Sequence, residues 1–153
     1  MAALFMAMDV CGQTKVIAHR GYWDTEGASQ NSRASLKNAL DLNIYGSETD
    51  IWLTTDGHLM VNHDPSYKGI TLQKATYAQC KNLTLSNGEK MPELKEFLQI
   101  MKKTKSRTKL IIEIKKHDKL EANRAAARAT VKAVKKYGVA KKVEYISFSL
   151  EAC

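Results

Sequence analysis

Glu48 and Asp50 stand two residues apart in the apolar run "IYGSETDIWL", and Glu113 and Lys115 stand two apart in "KLIIEIKK". Side chains alternate faces along a strand, so each pair points one way from a segment whose other residues belong in a core. His19 and His63 sit where two more apolar runs give out, "KVIAHRG" and "HLMVNHD", and each is followed at once by Arg20 or Asp64. A buried charge without a partner is costly, so strands do not collect them idly. Three carboxylates gathered at low dielectric repel one another and favour a divalent cation among them. An all-oxygen ligand set suits Mg²⁺ or Ca²⁺ better than zinc. Taken singly, His19 reads as a hydrogen-bonded strand-end histidine. Glu48 with Asp50 reads as a solvent-facing stripe, and Glu113 with Lys115 as an exposed ion pair. Four strand ends carrying such groups together read as a site.

The elements that must position these residues follow from periodicity. Residues 15–21 read as a buried strand. "NSRASLKNALDLN" reads as a helix capped by Asn31 or Ser32, with Leu36, Ala39 and Leu40 on one face. Strands follow at "IYGSETDIWL" and "HLMVNHD", separated by the turn "TTDG"; such a turn is a hairpin signal. Residues 66–90 read as a polar loop with one short helix near 74–81. "MPELKEFLQIMKKT" reads as a helix with Pro92 in its first turn, "KLIIEIKK" as a buried strand, and "KLEANRAAARATVKAVKKYG" as a long helix stopped by Gly138. "KVEYISFS" is a last strand. The alternation predicts an α/β fold, a parallel sheet with helices outside it. In a closed barrel of this kind, the strands' C-terminal ends converge on one mouth.

Composition narrows the partners. The net charge is +8, and from Met101 onward lie 15 Lys and Arg against 5 acids. Few aromatic residues are interleaved there to stack on bases, so this basic half reads as a solvated helix face, and no nucleic-acid partner is expected. Cys11, Cys80 and Cys153 match no metal or disulfide spacing and read as free thiols. "MAALFMAMDVCGQ" resembles the back end of a secretory leader, interrupted by Asp9 and lacking a basic start. The expectation is a leader remnant or disordered start over 1–14 and a periplasmic or secreted protein, with cytoplasmic as the alternative. No stable membrane insertion is expected, because no other segment approaches the length of a span.

"HRG", "SETD" before "LTTDG", "VNHD", "MPELKEFL" and "IEIK", in this order, closely resemble the glycerophosphodiester phosphodiesterases. The resemblance runs from Val16 to Ser149. It implies a TIM (β/α)₈ barrel related to the phosphatidylinositol-specific phospholipases C, and hydrolysis of a small-molecule glycerophosphodiester to glycerol 3-phosphate and an alcohol. It implies that His19 and His63 are the paired general acid and base, that Glu48, Asp50 and Glu113 hold the Mg²⁺ or Ca²⁺, and that Arg20 and Lys115 hold the phosphate. It also implies that "ETD" and "NHD" reach one mouth, which sets aside the hairpin signal in favour of a short connection that crosses back. One departure is Ser29-Gln30-Asn31, where the family commonly has Pro-Glu-Asn. A barrel has eight strands and typically about 250 residues. Five strands are countable here, so 15–153 is expected to be the N-terminal part of a phosphodiesterase barrel. The alternative is a catalytically inert fragment or module that keeps the motifs.

Overall fold

The computed structural model describes residues 14–152. The expected leader remnant, apart from Thr14, lies outside the described residues, as do Cys11 and Cys153. In chain order the elements are β1 (Ile17–Ala18), α1 (Arg33–Asp41), β2 (Gly46–Leu53), β3 (Leu59–Val61), β4 (Ser66–Tyr67), β5 (Ile70–Thr71), α2 (Tyr77–Cys80), α3 (Leu94–Lys103), β6 (Lys109–Ile114), α4 (Leu120–Tyr137) and β7 (Val143–Ile146). β1, β2, β6 and β7 form a parallel sheet in that order, and β3 pairs with β2. This is the arc of an α/β barrel, with its helices packed on one face.

The core lies between sheet and helices. Ile51 of β2 and Leu110, Ile112 and Ile114 of β6 pack there against Leu36, Leu40, Phe97, Leu98, Met101 and Val134, each 6% exposed or less. Burying a side chain of this size is worth about 1.5–3 kcal/mol relative to exposure. That surface sets the register, because a one-residue slip would turn every apolar residue to the wrong face. The opposite face of the same strands carries Glu48, Asp50 and Glu113. Asp50 lies directly across from Glu113 in the β2–β6 ladder.

The helices form where their sequence periods place them, with local differences at their starts. Ser32, not Asn31, caps α1: its hydroxyl accepts the Ser35 N–H at 3.0 Å. α3 begins after Glu93, which forms a reciprocal capping pair with Glu96, so Pro92 lies just before the cap instead of in the first turn. α4 ends at Gly138, whose φ of 72° is the left-handed cap its position predicts. The lysines along its last two turns are exposed, a solvated face.

Three expectations are corrected. The "TTDG" signal is a real hairpin: β3 runs antiparallel to β2, with Ile51 opposite Val61 and Leu53 opposite Leu59. Gly57, at φ 86°, turns the chain, and the Thr54 N–H donates to the His58 carbonyl at 2.8 Å. The segment 15–21 is not a buried strand. Only Ile17–Ala18 is extended, and Val16 and Ile17 are 57% and 46% exposed because, among the described residues, β1 pairs with β2 alone. Residues 66–90 are more than a loop. They fold β4, β5 and α2 over a second small core of Trp52, Met60, Leu72, Cys80, Leu85 and Met91. Cys80 is sealed there and burial pushes its thiol pKa up, which suits a packing residue.

Candidate active site

β1 stops at Ala18, and the chain turns through Arg20 and Gly21, both left-handed at φ 59° and 80°. The turn points the Arg20 N–H at Glu48, whose Oε2 accepts it at 2.8 Å. Gly21 has no room for a side chain: a Cβ there would stand 2.4 Å from Ser35 Oγ and 2.7 Å from Ser35 Cβ, on the first turn of α1. Gly21→Ala is therefore expected to cost at least about 1–3 kcal/mol from backbone strain alone. A lowered urea midpoint with unchanged slope checks it; an unchanged midpoint would show that the loop relaxes freely.

The three acids meet on the inner face. Glu48, Asp50 and Glu113 each offer an oxygen, all within 4.8 Å of one another, and all three are buried. The Lys115 ammonium lies between two of them, 3.2 Å from Asp50 Oδ1 and 2.8 Å from Glu113 Oε1. Burial pulls its pKa down, but the Glu113 hydrogen bond and the Asp50 charge outweigh that and hold it above the usual lysine value. Three carboxylates against one ammonium leave negative charge uncompensated. The strain falls on Glu48, whose pKa is pushed up to about 7, chiefly by burial and then by the neighbouring Asp50 charge. Glu48 Oε1 has no hydrogen-bond partner among the described residues. A buried oxygen without a donor, in an all-carboxylate set carrying excess negative charge, fits a hard divalent cation.

Asn31 fixes this cluster. Its amide donates to Asp50 Oδ2 at 2.8 Å, and its carbonyl oxygen accepts from Thr49 Oγ1 at 2.8 Å and from the Asp50 N–H at 3.2 Å. It holds a left-handed φ of 57°, which asparagine tolerates better than most residues. The sequence offers Asn31 as a possible helix cap and as the last residue of Ser29-Gln30-Asn31, with no sign of its bonds to Asp50. Its neighbour Gln30 accepts from Arg20 Nη1 at 2.7 Å, so it orients the guanidinium instead of joining the acids.

The two imidazoles arrive from opposite directions. His19 follows β1, and His63 follows the returning strand β3, whose ladder with β2 continues through the Asn62 N–H to the Asp50 carbonyl at 3.1 Å. Their ring centroids are 6.5 Å apart and nearly perpendicular. His19 Nε2 lies 4.0 Å from Glu48 Oε2, with its side chain 69% exposed. His63 Nδ1 meets Asp64 Oδ1 at 2.8 Å; a carboxylate only accepts, so Nδ1 is the donor of this pair and Nε2 is the nitrogen that can exchange a proton with a substrate. Trp52 Nε1–H donates to the His63 carbonyl at 3.3 Å and anchors its backbone. Thus His19, Arg20, Glu48, Asp50, His63, Glu113 and Lys115 are all brought to one rim.

A further histidine went unread in the sequence. His117 is 3% exposed, its Nδ1–H donates to the Lys115 carbonyl at 2.8 Å, and its Nε2 accepts the Leu53 N–H at 3.0 Å. Both nitrogens are used and burial depresses its pKa, so it is a neutral brace that holds the Lys115 backbone against β2.

The sequence profile of the Glycerophosphoryl diester phosphodiesterase family matches residues 19–153. A glycerophosphodiester phosphodiesterase of Caldanaerobacter subterraneus subsp. tengcongensis is 34% identical over 101 residues, which cover 58% of this chain and 41% of that protein. The crystal structure of a glycerophosphodiester phosphodiesterase from Parabacteroides distasonis superposes with a TM-score of 0.88 at 51% identity, over 91% of this chain and 58% of that one. An Oleispira antarctica phosphodiesterase, solved in complex with the product sn-glycerol-3-phosphate, shares the fold at a TM-score of 0.77 and 24% identity, over 91% of this chain and 59% of that one. The chain therefore spans between two fifths and three fifths of the length of these relatives. On the profile match, which spans residues 19–153, the chain belongs to the glycerophosphoryl diester phosphodiesterase family.

Proposed function

We propose that the site hydrolyses a glycerophosphodiester to glycerol 3-phosphate and an alcohol. The observation that carries this is the meeting of two imidazoles, 6.5 Å apart, with three buried acids whose oxygens lie within 4.8 Å. The Oleispira antarctica relative, which holds sn-glycerol-3-phosphate, supports the product class. Glu48, Asp50 and Glu113 would hold Mg²⁺ or Ca²⁺, which supplies charge neutralisation at the phosphoryl oxygens when bound. The Arg20 guanidinium, steadied by Gln30, binds a phosphoryl oxygen by a charge-assisted hydrogen bond. Lys115 holds Asp50 and Glu113 in place and adds positive charge on the same side. One histidine takes the proton of the attacking hydroxyl, from water or from the substrate's own glycerol, while the other protonates the departing alkoxide.

The test is release of glycerol 3-phosphate from glycerophosphocholine by the purified chain. Release is expected with Mg²⁺ or Ca²⁺, loss of at least about 100-fold in excess chelator, and recovery when the cation is restored. Turnover that ignores the chelator would remove the acids from the mechanism. The inert-module reading keeps one observation in its favour: among the described residues β1 and β7 each pair on one side, and Ile17 and Ile146 are 46% and 45% exposed. A well-folded chain with bound cation and no turnover would establish that reading.

A further inference from the structure

Beside the rim lies a cavity of about 660 Å³, between the segment after β1 and the small unit built from residues 62–86. It touches the proposed machinery on one side only: His63 and Asn31 line it, and His19 does not. The group that fills it is therefore next to His63. In the hydrolysis proposed above, on which this inference rests, the substrate carries an alcohol on each side of phosphorus, and one of them must leave.

The walls have a consistent chemistry. Asp24, Glu26 and Asp64 supply three carboxylates, Trp23 and Tyr67 supply aromatic rings, and no Lys or Arg lines the cavity. In a chain of net charge +8 an all-acidic lining is not the background composition. Acid and aromatic walls together attract a cation: the carboxylates through charge, the rings through their negative faces. Tyr67 already shows that attraction, with the Lys68 ammonium 5.5 Å from its ring centroid. Independently, Ser29 lines the same cavity, is 7% exposed, and has a hydroxyl with no partner among the described residues. A buried hydroxyl is ordinarily satisfied, so an unpartnered one beside a cavity marks a place for a ligand's polar atom.

We infer that this cavity seats the leaving alcohol and selects alcohols bearing a positive charge, such as a quaternary ammonium or amino alcohol, over neutral polyols. The P–O bond to that alcohol breaks, and the alkoxide takes its proton from His63. The hydroxyl that forms the new P–O bond gives its proton to His19.

The test has a binding arm and a turnover arm. Choline chloride, with sodium chloride as the salt control, is titrated into the chain while tryptophan fluorescence is followed; Trp52 is 4% exposed and lies outside the cavity, so Trp23 is the reporter. A saturable change is expected with choline and none with inositol. Affinity should weaken at least about 5-fold in Asp24→Asn with Glu26→Gln, as for a desolvated cation losing its charge partners. In the turnover arm, kcat/KM on glycerophosphocholine should exceed that on glycerophosphoinositol by about 10-fold or more, a ratio that collapses in the Asp24→Asn, Glu26→Gln chain. Equal rates on the two diesters, or a choline response that keeps its full affinity in the Asp24→Asn, Glu26→Gln chain, overturns the inference with hydrolysis intact. Saturable, variant-sensitive choline binding without turnover of any diester overturns the hydrolysis reading and leaves the cavity its cation.

Discussion

Replacing His63 by alanine should lower glycerol 3-phosphate release by roughly 10²- to 10⁴-fold, the range for loss of one positioned acid or base, and His19→Ala should do the same. Neither histidine lies among the oxygens that would hold the cation, so metal titration by calorimetry should change little in either variant. The double variant should fall hardly further than the worse single one, because groups that act together in one transition state lose their effect together. The roles separate with leaving-group acidity. His63 borders the cavity proposed for the departing alcohol, and its Nδ1 proton is held by Asp64 at 2.8 Å. A p-nitrophenyl ester leaves without help, so it should rescue most of the His63→Ala loss and little of the His19→Ala loss. Rescue of His19→Ala instead would exchange the two assignments. Near-normal turnover in either single variant would remove that histidine from the chemistry.

How much of this was legible in the sequence depends on which physical signal each residue left. The inner face of β2 and β6 was readable because Glu48 and Asp50, two apart in one apolar run, and Glu113, set among Leu110, Ile111, Ile112 and Ile114, have no cheap explanation, and the ladder duly sets Asp50 across from Glu113. The route that brings His63 to the rim was written in "TTDG", but the expectation of parallel ends outweighed the turn. Gly57 at φ 86° returns β3 antiparallel, so His63 descends toward the acids while His19 rises toward them. Edge position leaves no mark in a short apolar run, which is why Val16 and Ile17 read as buried and are not. The second core was missed because Leu72, Cys80, Leu85 and Met91 are spaced with neither strand nor helix period. Asn31 and His117 act through backbone and carboxylate partners distant in sequence: Asp50 is 19 residues from one and Leu53 is 64 from the other. No local pattern encodes such pairings.

The second large effect is one substitution that should strengthen the metal-free chain and abolish the proposed hydrolysis. Glu48 is 5% exposed, with one oxygen unpartnered among the described residues and a pKa pushed up to about 7 by burial and by Asp50. Unfolded, it titrates near 4.5. Between those values the folded chain holds a proton that the unfolded chain has lost, so stability falls as pH rises. The stabilising proton is fully in place below about pH 4.5 and gone above about pH 7. A shift of this size corresponds to about 3 kcal/mol across the window. Urea titrations in chelator should therefore show wild-type stability declining toward neutral pH by up to that amount relative to Glu48→Gln, whose amide can still accept the Arg20 N–H and has nothing to ionise. At pH 8 the variant should be the more stable chain. A bound divalent cation should reverse the order, since it stabilises only the chain that can hold it. Loss of a direct carboxylate ligand should also weaken metal binding by about 100-fold or more, the upper end of what even outer partners cost. Parallel pH profiles for the two chains in chelator would show that the acids are not in electrostatic conflict, and the case for a cation at their centre would fall with that result.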